Sequence, residues 1–359
     1  MASLGGLIVV VAATLCLSSG CSSVGSMAHW AYYAQAVGGH LDLIGRARPV
    51  TSWLDDASTP ANLRERLALA QRIRDFAVTE LALPDNRSYR AYADLQRSAA
   101  VWNVVTTPEL SLTLQTWCFP VMGCVGYRGY FDRAGADDLA AQLQAQGLDV
   151  SVYGVPAYST LGWTNWLGGD PLLNTFVHWP EGELARLIFH ELAHQVAYVN
   201  DDTTFNESFA TAVERIGGAR WLEQRASDAV RREYADLDAR RRDFRELTAR
   251  QRQRLLALYL SNLPDVEKRQ KKAELKATLN AEVAALKQTR WLGYTGYDAW
   301  FARANNASFA VQAAYDELVP AFERLYEKEG RDLPRFYAEV QRLSALPKAE
   351  RRATLTETP

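Results

Sequence analysis

Two histidines and a glutamate within five consecutive residues, His190-Glu191-Leu-Ala-His194, are the residues of this chain best suited to chemistry. In a helix, residues four apart lie on one face, so both imidazoles can reach one metal ion. Glu191 is turned by about 100° from His190, where its carboxylate can act as a base without being a ligand. A zinc ion lowers the pKa of a water molecule toward ~7, and the base completes its attack on a peptide carbonyl. The pattern therefore predicts Zn²⁺ as cofactor and peptide hydrolysis as the reaction.

A third ligand has to be a carboxylate, because none of the five histidines follows His194. The next predicted helix offers Glu207 and Glu214, which are seven residues apart and so share a face. Glu207 has a structural alternative as well, since Thr204-x-x-Glu207 is a capping-box pattern at a helix start. Both glutamates remain candidates on these grounds. Two histidines and one glutamate would leave the fourth position open for water, as in catalytic zinc sites.

The histidines lie in a segment whose pattern predicts an amphipathic helix. Pro180 precedes it, and Glu181 and Glu183 occupy its first turn, where acidic residues favour a helix start. Its apolar residues have the spacing of a buried face: Leu184, Leu187, Ile188, Leu192 and Val196.

Residues upstream of this helix are candidates for supporting roles. The segment 149–155 alternates like a β-strand and could bind an extended substrate at a sheet edge. Tyr158 or Tyr198 could donate a hydrogen bond to the developing oxyanion, although a tyrosine more often serves in packing. Asp170 and His178 are either outer partners of a metal ligand or ordinary loop residues.

The element pattern predicts an α+β fold that is predominantly helical, with a zincin-like catalytic core. Helices are expected over 28–50, 60–81 and 137–147, strands over 99–105 and 148–155, and a helical pair near the carboxyl end. Residues 221–287 predict two long charged helices that form a hairpin with a break at 261–264. Acidic and basic residues are interleaved along them, which favours a solvated arm over a basic binding helix.

Composition excludes several classes of protein. The 359 residues carry 40 Lys and Arg against 42 Asp and Glu, for a net charge of −2, and 48% of them are hydrophobic. Such a chain can bury a sizeable core, so it is neither disordered, collagen-like nor disulfide-dense. The balanced charge argues against a nucleic-acid partner.

The amino-terminal segment predicts export. The apolar run Leu4–Leu17 is shorter than the ~20 residues of a spanning helix and fits the core of a signal peptide. Leu17-Ser-Ser-Gly-Cys21 resembles a bacterial lipobox, which implies lipidation of Cys21; a plain cleaved signal with an incidental cysteine is the alternative. Ser22 would then favour the periplasmic face of the outer membrane. In that oxidising compartment Cys118 and Cys124 are expected to form a disulfide, since further ligands for a metal site are lacking nearby.

Several stretches together resemble a family of bacterial zinc aminopeptidase lipoproteins: SYRAYADLQRS, WCFPVMGCVGYRGYF, GVPAYSTLGW, DPLLNTF, LIFHELAHQ, FNESFATAVE and VPAFERLY. Asn206-Glu-Ser-Phe-Ala210 is also similar to the Asn-Glu-Gly-Phe-Ala stretch that carries the zinc-binding glutamate of gluzincin peptidases. The resemblance implies His190, His194 and Glu207 as ligands and Glu191 as base. The chain lacks the Gly-x-Met-Glu-Asn stretch with which gluzincin aminopeptidases hold a free amine.

These observations predict four regions: a lipoprotein signal peptide (1–20), a zincin-like catalytic region (21–220), the charged helical hairpin (221–290) and a carboxyl-terminal helical region packed on the core (291–359). The predicted protein is a zinc metallopeptidase, and more specifically an aminopeptidase, that acts on peptides or proteins. It would be anchored to a membrane of the bacterial cell envelope through Cys21. The alternative is an envelope assembly or interaction lipoprotein whose zinc site is gated or vestigial.

Overall fold

The computed structural model describes residues 23–119, 123–157, 169–200 and 202–357. The predicted signal peptide, the lipidation residue Cys21 and the candidate oxyanion donor Tyr158 lie outside these ranges. The chain divides into two compact units, Met1–Asp42 and Leu43–Pro359. Helix α1 (Ser23–Arg46) provides the described part of the first unit. No helix within the described ranges combines the length and apolar character needed to cross a bilayer.

The second unit confirms the predicted α+β class with a majority of helices. Its helices are α2 (Val50–Asp55), α3 (Ala61–Thr79), α4 (Arg133–Ala145), α5 (Glu181–Ala193), α6 (Thr203–Gln224), α7 (Asp228–Leu260), α8 (Asp265–Thr289), α9 (Asp298–Arg303), α10 (Asn306–Asp316), α11 (Val319–Lys328), α12 (Leu333–Ser344) and α13 (Lys348–Thr356). Its strands are β1 (Arg48–Pro49), β2 (Ala91–Ala93), β3 (Val101–Pro108), β4 (Trp117–Phe119), β5 (Gly123–Val125), β6 (Arg128–Tyr130), β7 (Leu148–Val155) and β8 (Leu172–Leu173).

An antiparallel sheet in the order β6-β3-β7 places the predicted substrate strand, β7, at an edge of the described sheet. Because side chains alternate along a strand, its two faces differ. Val104 and its partner Val152 lie on the face that packs against α4. The neighbouring pair, Asn103 and Tyr153, therefore lies on the opposite face.

Two smaller sheets are also present in the described part of the chain. One has the order β1-β2-β8, with β1 antiparallel and β8 parallel to β2. The other is the hairpin β4–β5, in which Cys118 pairs with Cys124. A disulfide bond joins these two cysteines, whose Cα atoms are 3.9 Å apart. The predicted disulfide is thus present.

Helix α5, which carries the two histidines, crosses the largest hydrophobic core. Of the core-facing residues predicted from spacing, three are fully buried there and two are only partly buried against the same core: Leu184, Ile188 and Leu192, and Leu187 and Val196, respectively. Helix α6 approaches α5 closely at Gly217, where an added Cβ would lie 2.8 Å from Phe189 Cδ2 and 2.6 Å from Leu81 Cδ1. A glycine at this position therefore sets the distance between the two helices.

Gly217→Ala should lower the free energy of unfolding by about 1–3 kcal/mol, because the new methyl group overpacks a filled core. Alanine is intrinsically the better helix former, so helix propensity alone predicts the opposite sign. Gly45→Ala in α1 is the matched control, since a Cβ there meets nothing within 4 Å. Urea unfolding of both variants measures the difference; equal stabilities would contradict the close helix contact.

The hairpin α7–α8 has the predicted helices and break, but it is not a solvated arm. Leu247, Leu255 and Leu279 are buried in a second core cluster with Trp291. Arg241 of α7 lies 2.5 Å from the Glu183 carboxylate of α5. The alternating charges did not predict this packing, because the apolar stem of an arginine or lysine can be buried while its charged end reaches a partner. The hairpin thus packs beside the helix that carries the histidines.

Candidate metal centre

Three potential metal ligands, His190, His194 and Glu207, converge between α5 and α6. The two Nε2 atoms are 3.2 Å apart, and Glu207 Oε2 is 3.3 Å from His190 Nε2 and 3.8 Å from His194 Nε2. His190 is in the last turn of α5 and His194 follows directly as its carboxyl-terminal cap. Both imidazoles are buried. Among the described residues, this is the group of His, Cys, Asp and Glu that could hold a metal ion.

Helix α6 begins earlier than a capping box of Thr204 and Glu207 would require. Glu207 therefore lies inside the helix, from where it reaches the histidines. The helix starts at Thr203, and the Asp202 side chain caps it by accepting a hydrogen bond from the Phe205 backbone N–H. The capping-box alternative, with Thr204 as the cap, is therefore wrong. Asn206 fixes the preceding loop, since its amide accepts from Val199 N (2.9 Å) and donates to Val199 O (2.8 Å).

Glu214, the other candidate ligand, lies on the far side of the His190 ring. Its Oε2 is 3.1 Å from His190 Nδ1, while its Oε1 pairs with the buried Arg186 guanidinium. A carboxylate at Nδ1 fixes the tautomer and the ring orientation, so that Nε2 is the ring nitrogen that faces His194 and Glu207. Sequence reasoning missed Arg186, although its position four residues before His190 puts it on the same helix face.

Burial and charge shift the pKa values of these side chains in opposite directions. For His190, burial disfavours the charged form, but hydrogen bonds to Glu207 and Glu214 outweigh it and raise the pKa well above its ordinary value. Burial lowers the pKa of His194 to about 4. Burial also opposes ionisation of Glu214, yet Arg186 and His190 lower its pKa to about 2. The carboxylates thus favour a positive charge at the group, as a bound metal ion would provide.

Glu191 combines partial exposure with a pKa close to neutrality. Burial raises the pKa of this carboxyl to about 7, against the effect of His190, and the negative charges of Glu207 and Asp170 add to the shift. A carboxylate with a pKa near 7 can both take up and release a proton at neutral pH. Its predicted role as general base stays a prediction, with these physical properties in its favour.

Two tyrosines lie near the group, and one of them, Tyr198, was singled out from the sequence. Tyr198 lies beside His194, with ring centroids 6.3 Å apart. The hydroxyl of Tyr153 in β7 interacts electrostatically with Glu207 and accepts a hydrogen bond from Asn103. The alternation of side chains along β7 could have identified Tyr153, because it places Tyr153 on the same face of the strand as Ser151 and Val155. His178 is exposed, and no hydrogen bond or ion pair with a described residue joins it to the group.

A buried ion pair fixes the start of the helix that carries Glu207. The Asp202 side chain is fully buried and lies 2.8 Å from Arg351 and 2.7 Å from Arg352, both in α13. Burial opposes ionisation of Asp202, but its hydrogen bonds to the two arginines lower its pKa. The carboxyl-terminal helix therefore stabilises the loop before Glu207.

Asp202→Asn should lower the free energy of unfolding by about 3 kcal/mol, because it leaves the Arg351 charge buried without a counterion. Asp228→Asn is the control, since that carboxylate is 78% exposed in its pair with Arg231 and exposed pairs contribute only ~0–1 kcal/mol. Chemical denaturation gives both values. If the two variants lost equal stability, the buried pair would not be the anchor of α6.

A model of the protein family described as "Putative aminopeptidase" matches residues 31–355, which is most of the chain. No curated protein and no solved structure matches the chain. The matched range includes the histidines, both glutamates and the hairpin α7–α8.

Proposed function

The chain belongs to this aminopeptidase family, and from that premise we propose that it is a zinc-dependent peptidase. In this proposal His190, His194 and Glu207 hold Zn²⁺, and Glu191 is the general base. The single observation that carries it is the convergence of two imidazole Nε2 atoms and one carboxylate oxygen in a buried position.

The separations between these atoms fit a tetrahedral zinc site. Zinc bonds of about 2.0–2.2 Å to nitrogen and oxygen imply ligand atoms about 3.3–3.5 Å apart. The distances of 3.2, 3.3 and 3.8 Å approach these values, so only a small movement of Glu207 would be needed. Two imidazoles with one carboxylate are also a donor set that suits zinc and leaves one position open.

Bound zinc would supply a Lewis acid that acidifies a water molecule and polarises the scissile carbonyl. The side chains divide the remaining work. Glu191 would take the proton from the attacking water and pass it to the leaving amine. Glu214 accepts the Nδ1 proton of His190 and holds the ring with Nε2 toward the group.

The edge strand β7 is the proposed place for an extended substrate. Asn305 Nδ2 donates a hydrogen bond of 2.7 Å to the Val150 carbonyl on the outer side of the strand. The ammonium group of Lys272 lies 2.7 Å from the Asp149 carboxylate. The first half of the strand is therefore engaged by the rest of the chain. Residues 152–155 are where a substrate strand would pair, next to Tyr153 on the face that interacts with Glu207.

The cellular place of the enzyme is proposed from the sequence. The apolar run Leu4–Leu17 followed by Cys21 supports a lipid anchor in the bacterial envelope, and Ser22 supports the outer membrane. The alternative function, an interaction protein that works through its hairpin, is less well supported, because the hairpin forms an ion pair with α5 and packs in a hydrophobic cluster with Trp291, Phe301 and Phe309.

The purified protein, stripped of metal and reloaded with zinc, should cut a mixed peptide library read by mass spectrometry. The metal-free protein should not cut, and zinc should restore cutting. Loss of single amino-terminal residues would establish an aminopeptidase, whereas internal cuts would establish an endopeptidase. No difference between the metal-free and the reloaded protein would overturn the proposal.

A further inference from the structure

Helix α1 presents an apolar stripe to solvent. Its members are four, three and four residues apart, which puts them on one face of the helix: Trp30, Ala34, Val37 and Leu41. The three large side chains among them are 61%, 59% and 59% exposed, in chain order. Gly38 lies on the same side, and a Cβ there would meet no atom within 4 Å. The stripe is therefore an open apolar surface of the helix.

The helix also lacks the charged residues with which a surface helix normally faces water. The segment Ser23–Leu41 contains no Asp, Glu, Lys or Arg, and the first charged residue of the helix is Asp42. Helix α7, by contrast, exposes an ion pair between Asp228 and Arg231. An exposed apolar stripe without neighbouring charge is typical of a contact surface for a protein or a membrane.

The place of α1 in the chain favours a membrane as the partner. Ser23, where the helix begins, comes two residues after Cys21, the predicted site of lipidation. Two residues span at most ~7 Å, so acyl chains on Cys21 would keep the start of α1 at the lipid headgroups. Trp30 is also of the residue type that is enriched at this depth of a membrane. A bilayer is thus within reach of the stripe from the moment the anchor inserts.

We propose that α1 lies flat in the headgroup layer of the membrane, with the stripe of Trp30, Ala34, Val37 and Leu41 against the acyl chains. The inference rests on the proposed lipid anchor and adds a second membrane contact to it. A helix with one apolar face buries that face about 5–10 Å into the boundary between headgroups and acyl chains. Because the segment up to Leu41 is uncharged, the attraction is hydrophobic and should not depend on salt or on anionic lipids. The charges of Asp42 and Arg46 mark where the helix returns to water.

The depth of two positions tests the inference on the mature, lipidated protein in phosphatidylcholine vesicles. Trp30→Cys and Leu41→Cys each introduce a single free thiol, because Cys118 and Cys124 are joined in a disulfide. A nitroxide on that thiol reports its depth by its accessibility to oxygen and to a water-soluble nickel complex. The two positions are about 16 Å apart along the helix. A flat helix gives both the same depth, about 5–10 Å below the headgroup surface, at low and at high salt.

Leu260→Cys is the matched control, since Leu260 of the hairpin is an equally apolar side chain that is 76% exposed. Its label should remain in water. Equal readings at positions 41 and 260, or a label in lipid at position 30 and in water at position 41, would overturn the flat helix. Spin–spin coupling between copies at position 41, with neither reagent reaching the label, would also overturn it, because a second copy would then cover the stripe.

The mass of the amino-terminal peptide tests the anchor separately. If Cys21 carries a lipid but both labels on α1 lie in water, the anchor stands and the helix contact is refuted. If Cys21 carries none, the anchor is refuted, and co-sedimentation of the same protein with the vesicles tests the helix. Leu41→Gln should then lower the partition coefficient by roughly 5- to 10-fold, the effect of losing most of one buried leucine, whereas Leu260→Gln should not. No binding, or binding unchanged by Leu41→Gln, would overturn the inference.

Discussion

Glu191→Gln should lower turnover of the best library peptide by about 10³-fold, within the 10²–10⁴ that a general base contributes. The amide keeps the size of the side chain but cannot take a proton from water. Because Glu191 is outside the group of His190, His194 and Glu207, zinc content should stay the same. Steady-state kinetics with zinc content by mass spectrometry measure both quantities.

Two controls make this result specific to proton transfer. Glu246→Gln, an exposed position on the hairpin, should leave turnover and zinc content at wild-type values. Thermal unfolding should show that the Glu191 variant is folded, and replacing this partly exposed carboxyl, whose pKa is raised, by a neutral amide should not lower its stability. Turnover within a factor of two of wild type would exclude Glu191 as the base. Loss of zinc together with turnover would assign it a place among the ligands.

The parts of the fold that depend on local periodicity were predictable. Strand β7 has the predicted bounds because its alternation continues to the residues where pairing with β3 ends. Helix α5 follows its apolar spacing, since the residues at that spacing are those buried in the core. The break between α7 and α8 lies at the predicted residues because Pro264 precedes the second helix.

Contacts between distant residues were not predictable from such patterns. The start of α6 is one example, because Asp202 and Thr204 are both good caps and the choice depends on Arg351, 149 residues away. The roles of Glu207 and Glu214 are another. A seven-residue separation puts both on one face, and the orientation of the His190 ring decides that Nε2 meets Glu207 and Nδ1 meets Glu214.

The two glutamates on α6 should differ in their effect on zinc affinity. Glu207→Gln replaces the only carboxylate oxygen in the ligand group and should lower affinity far beyond the ~10–100-fold typical of an outer partner. Glu214→Gln should lower affinity by about 10–100-fold, because it acts on the metal only through His190. Competition with a zinc chelator measures both affinities.

The Glu214 variant carries a second effect that has to be separated from the first. Arg186 is 6% exposed and pairs with Glu214, so the substitution leaves its charge unpaired and should also reduce stability by about 3 kcal/mol. Affinities are therefore compared at a temperature where circular dichroism shows both variants folded. At saturating zinc, Glu214→Gln should regain most of its turnover, since its ligands are intact, whereas Glu207→Gln should not. The reverse order of affinities would make Glu214 the metal ligand and Glu207 the residue that orients His190. The His190 ring would then have to be turned so that Nε2 faces Glu214.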